Sequence, residues 1–523
     1  MLLWRFHPHS TVFLPLGPLE GLLGSTGGLR LVVDWRPRGR VRRSAVRAER
    51  GDQVSDDLCY LPANEALALF RSRALSPVEL MQATIDRIEA FDPVVNALPV
   101  RFFDEALEAA RSAEARYAGR GTKPRPLEGL PVAVKDEVEV AGQPCTEGSL
   151  ILKDNVAERT AACVQRIIDA GGVIHARSAT PEFCCAAITD SRIWGVTRNP
   201  WNLEYSPGGS SGGSGAALAA GMASLATGSD IGGSIRIPAS FCGVVGFKPP
   251  YGRVPQDPPF NLDHYCHDGP MARTVEDCRL LENVMAGPHR DDIVSLRPKL
   301  TIPPDLPGVE GWRIAVSADL GGFEVDGEVR ENLREAAAVF GSLGAEVEEV
   351  GLAFDMDDVR EAARAHFATI FGSLIGQSLP EHRDLMTTYA VAFAEDASRP
   401  NVGYYRSLEI ESEIYAEIAG VFEEHELLIA PVFGVPALKA TVADYDIEVM
   451  YRHGMTLIFN MCSRCPVLVV PCGRSRDGVP LGIQIIGPTY DDVSVFRAAA
   501  AFAAARPWFA DPASRPALER SPE

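Results

Sequence analysis

The sequence lacks any run of apolar residues long enough to cross a membrane. A spanning helix needs about 18 or more consecutive apolar residues. The apolar pieces near the N-terminus, such as Thr11–Leu16, are broken up by prolines, glycines and histidines. The same breaks exclude a clean secretory signal. We therefore expect no membrane association and a cytoplasmic location.

Positive charge is also in deficit. The chain carries 50 Lys and Arg residues against 70 Asp and Glu residues, which gives a formal net charge of −20. Because phosphate binding needs a basic surface, this balance argues against a nucleic-acid partner. The arginine-rich stretch at residues 36–50 belongs to residues 1–57, which we expect to form a disordered or non-native N-terminal extension. The functional alternative for that stretch is an arm that binds an anionic surface.

Cysteine is present without the spacing that metal sites or disulfide frameworks require. The chain has 11 cysteines, an odd number, and most lie in apolar or alanine- and glycine-rich surroundings. Buried reduced thiols are therefore expected. Cys462-x-x-Cys465 has no second pair at metal-binding distance along the chain, so we predict no metal and no cofactor.

Helical and extended patterns alternate from about residue 58 onward. A helix begins at Ser76 with a capping serine and a following proline, and Asp92-Pro93 is expected to close it. Further helices are predicted at residues 103–118, 160–170 and 490–505, and strands at residues 130–134, 173–175, 311–317, 428–434, 467–471 and 481–486. The pattern predicts an α/β fold with one domain at residues 58–510 and a C-terminal tail at 511–523.

Two glycine- and serine-rich clusters within residues 206–238 form the richest segment of the chain. A phosphate-binding loop is one interpretation, but Ser214 stands where the P-loop lysine is required. A flexible linker is another, and the helical stretch between the clusters argues against it. A histidine-assisted serine hydrolase is a third, but Arg236 takes the place of the last glycine in the G-x-S-x-G motif around Ser234.

A fourth interpretation accounts for every part of the segment. Gly208–Gly213 reads G-G-S-S-G-G, Gly228–Pro238 reads G-S-D-I-G-G-S-I-R-I-P, and Pro131–Asp136 reads P-V-A-V-K-D. These three motifs, in this order, resemble the amidase signature family, and the resemblance covers about residues 58–510. It implies a three-layer α/β/α fold with a central mixed sheet.

The resemblance also implies a Ser–Ser–Lys catalytic triad. Ser234 would attack the amide carbonyl, and Ser210 would link Ser234 to Lys135. The peptide bond between Gly209 and Ser210 would be cis. Since a lysine acts as a base only when it is neutral, we expect burial to lower the pKa of Lys135 toward 7. Asp136 should point to the opposite face of the strand and not contact the amine.

Residues around the triad receive supporting roles. The backbone N–H groups of Ile231, Gly232 and Gly233 are expected to form the oxyanion hole. Asp230 and Arg236 are interpreted as structural.

Gly209 relieves crowding beside the cis bond, and Ser211 is a candidate substrate contact. A helix-capping role for Ser211 is the alternative.

The predicted activity is hydrolysis of a carboxylic amide, a small molecule, through a serine acyl-enzyme. The alternative is the glutaminase subunit of a tRNA-dependent amidotransferase, and an alternative of another class is a non-catalytic binding protein on the same scaffold. Residues 353–460 match the family least, and the sequence does not identify the amide. The family resemblance suggests a homodimer.

Overall fold

The computed structural model describes residues 57–510 and 512–519. The predicted N-terminal extension lies outside the described residues apart from Asp57, as do residues 511 and 520–523 of the predicted tail.

The strands belong mainly to one mixed sheet. In chain order they are β1 (Val100–Arg101), β2 (Pro131–Lys135), β3 (Val173–Ser178), β4 (Asp190–Ser191), β5 (Gly195–Val196), β6 (Leu225–Asp230), β7 (Val245–Lys248), β8 (His267–Ala272), β9 (Arg313–Val316), β10 (Glu346–Glu349), β11 (Leu427–Pro431), β12 (Val467–Arg474) and β13 (Pro480–Ile486). Eleven of them form the order β1-β3-β2-β6-β8-β7-β12-β13-β11-β9-β10, while β4 and β5 pair separately. Strand β2 runs parallel to both of its neighbours, β3 and β6. The next pairs in the sheet are all antiparallel: β6–β8, β8–β7, β7–β12, β12–β13 and β13–β11.

Helices cover the sheet. In chain order they are α1 (Ala63–Ser72), α2 (Pro77–Val95), α3 (Phe103–Tyr117), α4 (Ala162–Asp169), α5 (Gly212–Ala219), α6 (Arg236–Cys242), α7 (Val275–Met285), α8 (Gly327–Ser342), α9 (Met356–Phe367), α10 (Ser373–His382), α11 (Thr388–Ala397), α12 (Gly403–Glu424), α13 (Glu448–His453), α14 (Ile458–Met461) and α15 (Asp492–Ala505). A π-helical turn, Ala368–Gly372, joins α9 to α10.

Both faces of the sheet are buried, as strand β2 illustrates. Val132 and Val134 belong to a core cluster that includes Phe70 of α1 and Ile167 of α4. Ala133 belongs to a different cluster, which includes Ala216, Ala217 and Ala219 of α5. Successive side chains of a strand point to opposite faces, so helices lie on both sides and the architecture is the expected three-layer α/β/α arrangement. Lys135 shares the face of Ala133, the face that α5 covers.

The predicted elements are present with shifted ends. One such difference is at α2, which continues past Pro93 to Val95 instead of closing at Asp92. The helix ends where Asn96 adopts a left-handed conformation with φ 58°, and the Asp92 carboxylate accepts hydrogen bonds from the amides of Ala97 (2.7 Å) and Leu98 (3.3 Å). The side chain expected to stop the helix therefore caps the turn that follows it.

No helix within the described ranges has both the length and the apolarity needed to cross a bilayer.

Candidate active site

The candidate site lies where two parallel strands end side by side. Strand β2 ends at Lys135 and its neighbour β6 ends at Asp230, so their carboxyl ends open at the same edge of the sheet. The loop before α5 brings Ser210 to this edge, and the loop between β6 and α6 brings Ser234. The sheet thus gathers residues that lie far apart along the chain.

Lys135 is fully buried and makes three polar contacts. Its Nζ donates hydrogen bonds to Ser210 Oγ (2.7 Å) and Ser229 Oγ (2.8 Å) and lies 3.1 Å from Glu137 Oε1. An ammonium group has three N–H donors, and here three oxygens surround it. The predicted link between Lys135 and Ser210 is therefore present as a direct hydrogen bond.

The expected depression of the Lys135 pKa is wrong for this structure. Burial lowers the pKa of Lys135, but Cys184, in its thiolate form, and Glu137 raise it, and the pKa lies above its ordinary value. Burial raises the pKa of the Cys184 thiol to about 12, so that group carries almost no charge near pH 7. Glu137 is therefore the counterion that opposes the effect of burial.

Asp136, the adjacent acid, points away from the amine as predicted. Its carboxylate accepts hydrogen bonds from Thr146 N (3.1 Å) and Trp194 Nε1 (3.2 Å), and it also pairs with the Thr146 hydroxyl.

The peptide bond between Gly209 and Ser210 is cis, as the resemblance implies. The loop passes so close to its neighbours that a Cβ at Gly209 would lie 2.4 Å from the carbonyl oxygen of Ala186 and 2.5 Å from that of Ile188. No other residue type fits this position without displacing backbone.

Ser234 stands at the start of α6 and lines a cavity. It is 8% exposed, and its carbonyl accepts a hydrogen bond from Ser211 N at 3.1 Å, which joins the two serine-bearing loops. The Ser234 hydroxyl has no hydrogen-bond partner in the described part of the chain. In unliganded enzymes catalytic hydrogen bonds are often long and form fully only with substrate.

The loop before Ser234 presents a set of backbone amides. Gly233 N donates to Asp230 Oδ1 at 2.9 Å, and the Gly232 carbonyl accepts from Thr456 Oγ1 at 2.6 Å. Gly233 is therefore already engaged, although it was expected to point at the substrate. Within the described residues the amides of Ile231, Gly232 and Ser234 have no acceptor, and these are the candidate oxyanion donors.

Asp230 and Arg236 form a buried ion pair that braces this loop. Arg236 Nε donates to Asp230 Oδ2 (2.9 Å) and Nη2 to Oδ1 (2.8 Å), and both side chains are fully buried. Although burial alone would raise it, the pKa of Asp230 is held far below its usual range by Arg236 and by the hydrogen bond from Asn460. Arg236 also donates to Gln484 Oε1 at 2.8 Å.

Ser211 does not line a cavity. It is fully buried, and its hydroxyl exchanges hydrogen bonds of 3.3 Å with the backbone N–H and carbonyl of Ser229. The structure makes it a brace between loop and strand, so the substrate contact suggested for its side chain is not supported.

Sequence reasoning missed Glu137 and Ser229, both of which contact Lys135. Glu137 lies in the turn that follows β2, closed by a 3.1 Å hydrogen bond from Val138 N to the Lys135 carbonyl, and this turn brings its carboxylate back to Lys135. Strand alternation does not extend into a turn, so the sequence pattern did not reveal this contact. Ser229 immediately precedes Asp230 in the family motif, and its role depends on β2 and β6 being neighbours.

Other reactive side chains serve packing elsewhere. His175 is buried with its ring bonded to the Met222 carbonyl at 2.9 Å, and His264 pairs with Glu411 at 3.0 Å. All 11 cysteines are free thiols. No group of three or more metal-ligating side chains is found among the described residues.

Two cavities flank the serines. A small apolar cavity of about 50 Å³ contains Ser234 and is lined mainly by Ile237, Phe367, Phe371, Phe393, Met450 and Tyr451. A larger polar cavity of about 270 Å³ contains Ser210 and Ser229, and its walls include Glu137, Glu147, Arg159 and Asp268. Ile231, Cys184 and Phe371 line both cavities, so the two meet at the candidate catalytic residues.

Comparisons with known proteins agree with this geometry. The amidase family model matches residues 79–496. The chain is 35% identical over 480 residues to a glutamyl-tRNA(Gln) amidotransferase subunit from Moorella thermoacetica, covering 85% of this chain and 96% of that protein. It is 32% identical over 473 residues to an acylamidase of Rhodococcus erythropolis, covering 87% and 97%. The crystal structure of a bacterial aryl acylamidase of the amidase signature family superposes with a TM-score of 0.80 at 30% identity, covering 86% of this chain and 97% of the other. The chain therefore belongs to the amidase signature family and is an amide-hydrolysing enzyme.

Proposed function

We propose that this enzyme is a free-standing amidase that acts through Ser234, Ser210 and Lys135 on amides with a short apolar acyl group. The observation that carries the proposal is the placement of Ser234 in the apolar cavity and of the Lys135–Ser210 pair beside the polar cavity.

In this mechanism Ser234 Oγ bonds to the amide carbonyl carbon while its proton passes through Ser210 to Lys135, in the fraction of the enzyme whose lysine has already lost its own proton. The carbonyl oxygen becomes an oxyanion, which the amides of Ile231 and Gly232 stabilise; one such donor is worth about 3–4 kcal/mol in the barrier. The proton then returns through Ser210 to the nitrogen, the C–N bond breaks, and the amine leaves. Water attacks the acyl-enzyme, and its proton is passed back along the same path to restore Ser234.

The path of the proton fixes the orientation of the substrate. Because Ser210 delivers a proton to the leaving nitrogen, the amine side must face Ser210 and the polar cavity. The acyl side stays bonded to Ser234 and occupies the apolar cavity. A benzene ring fills a cavity of about 150 Å³, so a cavity of about 50 Å³ favours a short aliphatic acyl group.

The second candidate is the glutaminase subunit of an amidotransferase. The similarity to the Moorella thermoacetica amidotransferase protein, at 35% identity, supports it. The acyl part of glutamine, however, carries an ammonium and a carboxylate, and burying such charges requires polar or charged partners. Among the described residues no charged side chain lines the cavity at Ser234, and besides that serine and two cysteines its polar side chains are the phenols of Tyr445 and Tyr451. This favours a stand-alone enzyme that acts without tRNA.

The 11 free thiols support a cytoplasmic setting.

A matched series of 4-nitroanilides tests the proposal, because the leaving group is constant while the acyl group grows from acetyl to butyryl to benzoyl. We expect kcat/KM to be highest for the short aliphatic members. Phe393→Ala, which widens only the apolar cavity, should improve the benzoyl compound relative to acetyl, and Leu374→Ala in the polar cavity is the control.

Ser234→Ala should abolish both hydrolysis and labelling by a fluorophosphonate probe. Glutamine hydrolysis without activity on any anilide would instead support the amidotransferase function. Full activity of Ser234→Ala would contradict the assignment of the nucleophile.

A further inference from the structure

The Glu137 carboxylate is enclosed beside the candidate base Lys135. Glu137 follows β2 by two residues, and its carboxylate lies in the wall of the polar cavity, 3.1 Å from Lys135 Nζ. Both carboxylate oxygens are enclosed, and neither accepts a hydrogen bond of good geometry from any described residue. Lys135 is thus the one cation in contact with this carboxylate within the described ranges.

We propose that Glu137 is a positioning residue that keeps the proton on Lys135 in the resting enzyme and thereby sets the pH at which the amidase becomes active. The inference rests on the proposed role of Lys135 as the base. Glu137 touches no reacting atom in this scheme. It acts through the lysine by electrostatic attraction across 3.1 Å, while Ser210 and Ser229 accept hydrogen bonds from the ammonium.

The other charged groups around Lys135 are less able to do this. Asp268, on β8, and Glu147, in the loop after β2, both act on the lysine electrostatically, but burial raises the pKa of each to about 7, so each is partly neutral near that pH. The Cys184 thiol is neutral there. Neither carboxylate forms an ion pair with Lys135.

The other charged groups that the structure describes near Lys135 do not contact its amine. The Arg177 guanidinium donates to the Lys135 carbonyl at 3.0 Å, and it adds positive charge beneath the lysine backbone. Asp136 is held by Thr146 and Trp194 and faces away. If the Glu137 charge is removed, burial becomes the main influence on the pKa of Lys135. Burial lowers the pKa of a lysine.

The consequence is a shift of the acid limb of the pH profile. Activity rises with pH as the base loses its proton. An opposite charge within about 4–6 Å moves a pKa by about 1–3 units. Glu137→Gln should therefore move the acid limb of kcat/KM to lower pH by about 1–3 units, whereas loss of a purely structural contact would lower activity at all pH values without moving the limb.

The experiment follows two signals in the full-length protein. The first is the pH profile of kcat/KM for acetyl 4-nitroanilide with wild type, Glu137→Gln and the control Glu139→Gln. Glu139 lines the same cavity and pairs with Arg159 instead of Lys135. The second signal is the titration of Lys135 by NMR of lysine labelled with ¹³C at Cε. The chain contains only six lysines, and the resonance lost in Lys135→Met assigns the signal.

We expect both the acid limb and the Lys135 titration to move down in Glu137→Gln and to stay in place in Glu139→Gln. Glu137→Asp keeps the charge and replaces Glu137→Gln in the experiment if the latter does not fold. The acid limb of kcat/KM for Glu137→Asp should lie between those of wild type and Glu137→Gln. An unchanged Lys135 titration in these variants would overturn the inference. A shifted titration in an enzyme that cleaves no amide would contradict the proposed function while leaving the electrostatic role of Glu137 in place.

Discussion

The Asp230 carboxylate concentrates more stabilising contacts than any other candidate site group. It accepts two hydrogen bonds from Arg236, one from Asn460 Nδ2 (2.9 Å) and two from the loop amides of Gly233 and Ile235. These contacts fix the shape of the loop that presents Ser234. Its side chain is therefore needed both for stability and for the geometry of the candidate oxyanion donors.

We predict that Asp230→Asn destabilises the protein by about 3–5 kcal/mol, because it leaves the buried Arg236 charge without its partner. The amidase activity of the folded fraction should fall as well, since the loop amides lose their acceptor. Denaturant unfolding and kcat measure the two effects. The control is Asp319→Asn, whose partner Arg330 is about 40% exposed. That change should stay within about 1 kcal/mol.

Glu282 on α7 is a buried acid without a hydrogen-bond partner among the described residues. It is 1% exposed, and burial raises its pKa to about 8. In the unfolded chain its pKa is near 4.3. Between these values the folded state holds a proton that the unfolded state releases, so this residue makes stability fall as pH rises from about 4 to about 8.

We predict that Glu282→Gln raises the free energy of unfolding at pH 8 by a few kcal/mol and leaves it nearly unchanged at pH 4, because the wild-type side chain is neutral at the lower pH. Thermal unfolding at both pH values measures the difference. Equal effects at the two pH values would show that Glu282 does not titrate on unfolding.

At the scale of secondary-structure elements, the loop that carries Ser210 is held by close backbone packing. The carbonyl oxygens that a Cβ at Gly209 would meet belong to residues 186 and 188, which lie in a separate loop. Backbone atoms cannot yield as a flexible side chain can. The position of Ser210 is therefore set by contacts that tolerate only glycine.

We predict that Gly209→Ala lowers kcat about 100-fold or more, since displacement of a catalytic group by about 1 Å has that effect, and that it also lowers the melting temperature. Gly341→Ala is the matched control. Gly341 lies in α8 with nothing within 4 Å of an added Cβ. The control should retain activity and gain about 0.5–1 kcal/mol of stability.

The helices and strands could be predicted from local patterns, because strand alternation, helix caps and turn residues act over a few residues. The Lys135–Ser210 contact joins residues 75 positions apart and was predicted only through the family resemblance. Glu137 was not predicted, because it lies in the turn after β2, where strand alternation no longer applies. Asn460 and Gln484 were not, because they reach Asp230 and Arg236 across more than 200 residues of chain. The pKa of Lys135 could not be derived either, since it depends on which side chains the fold gathers around the amine.

At the scale of the whole molecule, the sheet and its active edge lie within the described residues. Along the chain, the eleven strands of the sheet extend from β1 at residue 100 to β13 at residue 486, and both cavities are lined by residues between 137 and 451. Residues 36–50, the arginine-rich stretch of the expected N-terminal extension, lie outside the described residues.

We predict that a chain beginning at residue 57 retains its fold and its amidase activity, with kcat/KM within about twofold of the full-length enzyme. The expectation follows from the placement of all three candidate catalytic residues in one continuous sheet and its flanking loops. Expression of the two chains in parallel and measurement with the same anilide provide the test. A large loss of activity at unchanged melting temperature would assign a functional role to the N-terminal segment.

In the proposed mechanism the covalent bond to Ser234 makes the amine leave first, and the two cavities that meet at Ser234 and Ser210 give the two products separate spaces. The amine can diffuse out through the polar cavity while the acyl group remains anchored in the apolar one, so the vacated space is open to whichever nucleophile enters next. Water is one such nucleophile, and a second small amine is another. Hydroxylamine added during turnover should therefore react with the acyl-enzyme and yield a hydroxamate. The enzyme would then catalyse acyl exchange, and the product would depend on which nucleophile occupies the polar cavity.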